Sequence, residues 1–167
     1  MNNIQDEKIY SFEPIFDSNS KILILGTMPS PASLKAEMYY SHPQNAFWKI
    51  MSGLLNEQIL NVTQQKVKFL LCHYIALWDT LKSCERKGAL DSNIKDFEPN
   101  DINDLIKNSS NIRAIFLNGG ASYKFYKKFH ASKIDLPYFL LPSTSPANQS
   151  LNFNEKLEKW SVIYRYL

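Results

Sequence analysis

Cysteine is scarce in this chain of 167 residues: Cys72 and Cys84 are the whole supply, and only His42, His73 and His130 join them as soft ligands. Two thiols and three scattered imidazoles match no four-ligand zinc spacing and cannot hold an iron–sulfur cluster through four thiolates, so neither a metal nor another cofactor is expected. Glycine is sparse too, at five residues, and the loop Gly26-Thr27-Met28-Pro29 lacks the repeated glycines of a dinucleotide-binding turn. No run of about 18 apolar residues is present to cross a membrane. The opening Met1-Asn2-Asn3-Ile4-Gln5-Asp6-Glu7 is polar and acidic, without the basic start and apolar run of a leader. The expectation is an intracellular protein with reduced thiols. Neither sign of charge dominates: 19 Lys plus Arg against 16 Asp plus Glu leave +3, so any site for a polyanion has to be local.

What is present reads as one packed domain over residues 1–167. Hydrophobic residues make up 44% and charged residues 21%, a globular balance, and no repeat or low-complexity linker interrupts the chain. Lys21 to Leu25 is short, rich in Ile and Leu and closed by Gly26, which suits a strand buried on both faces. Tyr74 to Trp78, Ile112 to Leu117 and Pro137 to Leu141 read as three more strands, ending at Asp79, at Asn118-Gly119-Gly120 and at Pro142-Ser143. Helical spacing appears at Phe47-Ile50-Met51-Leu54-Leu55, from Thr63 to Leu70, at Ile102-Leu105-Ile106, at Tyr123-Tyr126-Phe129 and at Phe153-Leu157-Trp160-Tyr164. The stretch Asp91 to Asn100 reads as a polar loop. Alternation of strand and helix predicts an α/β fold of three αβα layers, with a central, mainly parallel four-stranded sheet. Ligands of such sheets bind outside the carboxyl ends of the strands. Four segments converge there: Gly26 to Trp48, Asp79 to Gly88, Asn118 to Gly120 and Leu141 to Asn148.

The first segment continues from Gly26 through Ser30 to Tyr39-Tyr40-Ser41-His42-Pro43-Gln44-Asn45-Ala46-Phe47-Trp48. Glycine permits close approach of backbone, the prolines stiffen the loop, aromatic rings offer stacking faces, and one amide carries a donor and an acceptor. Those properties suit a flat ring better than a structural crossover, although Trp48 by itself reads as core. The last segment, Leu141-Pro142-Ser143-Thr144-Ser145-Pro146-Ala147-Asn148, sets three hydroxyls between prolines, as a phosphate clamp or a helix cap would.

Together these segments resemble the uracil-DNA glycosylase superfamily, and within it the hypoxanthine-DNA glycosylases, over most of the chain. Gly26-Thr27-Met28-Pro29 stands at the superfamily's first motif. His42-Pro43-Gln44-Asn45-Ala46-Phe47-Trp48 resembles an HPxNxFW stretch shared with mismatch-specific uracil glycosylases. Ile75-Ala76-Leu77-Trp78-Asp79, with Cys84, Arg86, Gly88, Leu90 and Asp91 beyond it, is similar to the hypoxanthine group. Met28 replaces the water-activating Asp or Asn of uracil glycosylases, and Leu141 replaces the His of their second motif. Neither side chain can activate water or donate to a leaving base.

The resemblance implies a monofunctional DNA glycosylase, expected as a monomer, that acts on double-stranded DNA holding a deaminated base. The base would be hypoxanthine in deoxyinosine, with uracil, or binding without cleavage, as alternatives. It implies Asn45 as the catalytic residue, working by orientation, since an amide is no useful general base. Gly26, Met28, Tyr40, Phe47, Asp79 and Asn118 would bind the base, with Phe47 stacking on it. An ionised Asp79 would accept from N1–H of hypoxanthine and oppose the bare N1 of adenine. Ser30, His42, Arg86, Lys87, Ser143, Thr144 and Ser145 would hold the DNA backbone.

Overall fold

The computed structural model describes residues 7–167, and the opening residues read above for a leader lie, but for Glu7, outside the described ones. The central sheet is built from β2 (Ile22–Gly26), β3 (Ile75–Asp79), β6 (Ala114–Asn118) and β7 (Tyr138–Leu141), in the order β3-β2-β6-β7 and parallel throughout. Every residue of β2 is buried, which is why its sequence runs apolar instead of alternating. The strand still has two faces. Ile22 and Ile24 pack with Phe47, Ile50 and Met51 of α2 (Phe47–Leu55), Phe69 and Leu70 of α3 (Thr63–Cys72) and Trp160 of α6 (Phe153–Trp160). Leu23 and Leu25 pack on the other side with Ile102 and Leu105 of α4 (Ile102–Asn108) and Tyr126 of α5 (Gly120–Phe129). The three αβα layers follow.

Register then places the site. Gly26 pairs with Asp79 across β2 and β3, and Asn118 pairs with Leu141 across β6 and β7. The strands therefore end level, and the side chains that follow them share one edge.

The segments 79–88 and 91–100, expected as loops, instead form most of a second sheet. β4 (Leu81–Arg86) lies between β1 (Lys8–Tyr10) and β5 (Ile94–Pro99), antiparallel to both. Only Thr80 separates β3 from β4, and its amide and hydroxyl both donate to the Gly26 carbonyl. Asn100 fixes the corner: its side-chain amide donates to the carbonyls of Asp79 and Leu81. Apolar alternation is thin in β5, where Ile94 and Phe97 alone are half-buried, so solvent on the outer face leaves little strand signal. A short α1 (Pro31–Ala36), capped by Ser30, occupies part of the expected first loop, and Tyr164 sits in a 3-10 turn after α6.

Candidate active site

At the carboxyl edge of the four-stranded sheet lies a cavity of about 400 Å³, within the range of small-ligand sites. Gly26 forms its floor. A Cβ there would come 2.5 Å from Asp79 Oδ1 and 2.8 Å from the Tyr40 hydroxyl, so absence of a side chain is what admits both groups. Asp79 is 3% exposed, and its Oδ2 has no hydrogen-bond partner among the described residues. Loss of solvation, then the neighbouring Asp91, push its carboxyl up to about 8, against the opposing pull of Arg86. At neutral pH Asp79 is therefore mainly the neutral acid. The expected ionised, accept-only carboxylate is corrected to a group that can also donate.

Tyr40 takes a left-handed backbone, φ 54°, and its ring stacks at 4.2 Å on Phe47. Burial, then Asp79, raise its phenol, while Asn118 beside it pulls the other way. Phe47 itself is fully buried in the core, against Tyr40, Trp48 and Trp160, and does not line the cavity. The expectation that Phe47 stacks on a bound base is thus corrected: its ring is enclosed by Tyr40, Trp48 and Trp160, and the aromatic residues that line the cavity are Tyr39 and Tyr40.

Asn45 lines the cavity and serves two ends. Its Oδ1 accepts from the Phe47 amide at 3.0 Å, capping the start of α2, which fixes the side chain with its amide NH₂ left to donate. Asn118 and Thr144 lock reciprocally: Asn118 Nδ2 donates to Thr144 Oγ1 and the Thr144 amide donates to Asn118 Oδ1, both at 3.0 Å. Thr144 is 1% exposed, so its hydroxyl is a brace for Asn118 and is corrected from a DNA-backbone contact. Ser143 and Ser145 line the cavity, and each hydroxyl oxygen accepts a nearby backbone amide, from Ser145 and Ala147 respectively, keeping its own O–H to donate.

The remaining expected residues divide. Met28 lines the cavity but packs on Leu81 and Cys84, offering no polar atom. Ser30 also lines it, with its hydroxyl committed to Ser33 as the cap of α1. Arg86 is corrected from a surface phosphate contact: it is 8% exposed, lines the cavity, and donates from Nη2 to Pro29 O at 2.6 Å and from Nε to Gly88 O at 3.0 Å. Lys87 is exposed outside the cavity. His42 also lies outside it, with Nδ1 accepting from the Gln44 amide in a local turn.

Two further contributors stood in the sequence only as members of a similar stretch and of a segment ending, with no role assigned. Asp91 lines the cavity from the loop before β5; desolvation raises its carboxyl, with Arg86 and Thr27 opposing. An acidic residue in a polar stretch does not by itself show that position; its only sign was membership of the stretch similar to the hypoxanthine group. Gly119, at φ 98°, turns the chain so that Gly120 and Ala121 of the first turn of α5 border the cavity; a Cβ on Gly119 would meet Ser143 at 2.9 Å. The Gly119-Gly120 pair was the available sign. Among the described residues no group of three His, Cys, Asp or Glu is placed to hold a metal ion, and no helix is long and apolar enough to cross a membrane.

Comparison with known proteins adds an independent finding. Residues 13–167 match the family described as the Uracil DNA glycosylase superfamily. A curated protein of Methanosarcina acetivorans named Hypoxanthine DNA glycosylase is 32% identical over 156 residues, covering 93% of this chain and 97% of the relative. A protein of the same name from Methanosarcina barkeri is also 32% identical, over 159 residues, 95% of this chain and 99% of the relative. The solution NMR structure of a Methanosarcina acetivorans protein, provisionally assigned as a uracil DNA glycosylase, superposes with a TM-score of 0.83 at 31% identity. It covers 95% of this chain and 98% of that one.

Proposed function

The chain belongs to the uracil DNA glycosylase superfamily, and on that premise we propose that it excises hypoxanthine from deoxyinosine in double-stranded DNA, as a monomeric, monofunctional glycosylase. The nucleotide flips out of the duplex so that its base enters the cavity at the sheet edge. Tyr40 forms one wall. Asp79, as the neutral acid, accepts from N1–H through its carbonyl oxygen and donates to O6 through its hydroxyl, pairing with the lactam edge of the base. Asn45, anchored through Oδ1, donates from Nδ2 and holds water and base in line. Ser143, Ser145 and the first-turn amides of α5 face the flanking phosphate.

Cleavage breaks the C1′–N9 bond with the electron pair leaving on the purine, and water bonds to C1′. With Met28 and Leu141 in the positions where relatives of other specificity carry polar groups, the chemistry falls to orientation and charge. The observation that supports this most is Asn45: a cavity-lining amide whose acceptor end is held by the Phe47 amide and whose donor end is free.

The test is single-turnover cleavage of duplexes bearing one inosine or one uracil. Release of hypoxanthine at a rate well above that of uracil, with an intact abasic strand, is the expected result. Preferential uracil release would transfer the protein to the uracil-specific reading, and tight binding without base release would make it a lesion-binding module.

A further inference from the structure

Arg86 is a buried cation without an ion pair. It is 8% exposed, and among the described residues its hydrogen bonds run to two neutral carbonyls, Pro29 O and Gly88 O, from Nη2 and Nε. Among the described residues the salt bridges are Lys8–Glu98 and His73–Glu57, and neither involves it. A guanidinium taken out of water and left unpaired is costly unless something else gains from the charge. The two carboxyls near enough to feel it, Asp79 and Asp91, line the same cavity, and loss of solvation raises both against the pull of Arg86. Among the described residues no carboxylate lies at ion-pair distance from this guanidinium, which lines the cavity.

We propose that Arg86 is a catalytic residue of this site, whose guanidinium stabilises the negative charge on the departing purine. The inference rests on the base-excision reading above and deepens it. When C1′–N9 breaks, the pair passes into the purine ring, water supplies the new C1′–O bond and releases its proton to solvent, and the purine anion is then protonated. The cation acts on the anion before that protonation. Such a group is what Met28 and Leu141 do not provide, and fixing the fork through Pro29 and Gly88 holds it in place without reorganisation during the reaction. The same ties also make Arg86 a brace between the first loop and the end of β4, so the test has to separate charge from bracing.

Single-turnover rates are measured for the parent, Arg86→Gln and Arg86→Lys on duplexes carrying inosine or xanthosine, since xanthine is the more acidic and better leaving base. Arg86→Gln is expected to lose about 10²-fold on inosine, the scale of removing one such stabilising group, and clearly less on xanthosine. Arg86→Lys, which keeps the charge and loses the fork, is expected to fall between Gln and parent. Equal loss on both bases, or Lys no better than Gln, would overturn the proposal and leave Arg86 a brace, and a parental rate in Arg86→Gln would overturn it outright. If Arg86→Gln does not fold by circular dichroism, the ratio of the two substrates in Arg86→Lys decides alone: unchanged from parent, it overturns the proposal. A parent protein that releases neither base removes the glycosylase reading first, a result distinct from an active parent with insensitive variants.

Discussion

The carboxyl of Asp79 and the hydroxyl of Tyr40 meet over Gly26, which contributes no atom of its own between them. Two polar groups from elements separated in sequence thus converge on the only residue type that leaves them space.

Gly26→Ala should therefore remain folded and lose function. The added methyl would have to displace Asp79 Oδ1 from 2.5 Å and the Tyr40 hydroxyl from 2.8 Å, moving the floor of the cavity by about an ångström. Displacement of that size typically costs about 10²-fold in rate. Cleavage of inosine-containing duplex at parental rate, in a protein with parental melting behaviour, would count against a base-reading floor.

Asn45→Ala is expected to lose about 10²–10³-fold in single-turnover rate while still binding inosine-containing DNA. It should also lose roughly 1 kcal/mol of stability, because Oδ1 caps the Phe47 amide. The two losses are separable. A destabilised variant that cleaves at the parental rate would make Asn45 a cap alone.

For Asp79 the sign of the pH effect is fixed by its raised carboxyl. Folding holds the proton up to about 8 whereas the unfolded chain releases it near 3.8, so the folded state binds more protons between those values and stability falls as pH rises through that window. Asp79→Asn removes the titration. Its melting midpoint should exceed the parent's at pH 8 and lose that advantage near pH 4, each ~1 kcal/mol being worth roughly 2–4 °C in a domain of this size. A difference independent of pH would contradict a buried, proton-retaining Asp79.

Base discrimination should follow the same group. The neutral acid can pair with the lactam edge of hypoxanthine and also with the N1 and amino group of adenine, but the carboxylate repels the bare N1 of adenine. Inhibition by free hypoxanthine relative to free adenine should thus grow as pH rises through about 8 in the parent. In Asp79→Asn the ratio should be flat.

Phe47→Leu distinguishes a supporting ring from a base-stacking one. The change opens space against Tyr40 and Trp160 in a fully buried position, so a loss on the order of 1–3 kcal/mol in stability is expected. Affinity for inosine-containing DNA should change little. A large loss of affinity at unchanged stability would restore the direct stacking role.

Three of the parallel strands, β2, β3 and β6, were legible because burial on both faces leaves continuous apolar runs such as Ile22-Leu23-Ile24-Leu25, each stopped by a residue that faces the cavity, whereas the edge strand β7 keeps its apolar run although Leu140 is exposed. β4 and β5 were not, since a half-solvated sheet with irregular pairing between Leu81, Ser83 and Glu85 shows no clean alternation. Among the site residues, Gly26, Tyr40, Asn45, Asp79 and Asn118 meet at the cavity as the segment endings suggest. Arg86 and Phe47 misled for a shared reason: sequence shows that a residue is charged or flat but not which side of the backbone it leaves by. Thr144 likewise looks like any loop hydroxyl until its reciprocal bonds with Asn118 are seen.

The passage of the chain from β3 into β4 across Thr80 alone gives the cavity an unusual mechanical character. One side of it is a single taut ribbon belonging to both sheets, riveted at the corner by Asn100 and at Gly26 by Thr80. Widening that side would mean tearing ladders in two sheets at once. That side then yields little, so adjustment in the encounter falls to the loops on the other sides or to the nucleic acid, and a lesion that already weakens stacking and pairing in its own duplex would ask the least of either.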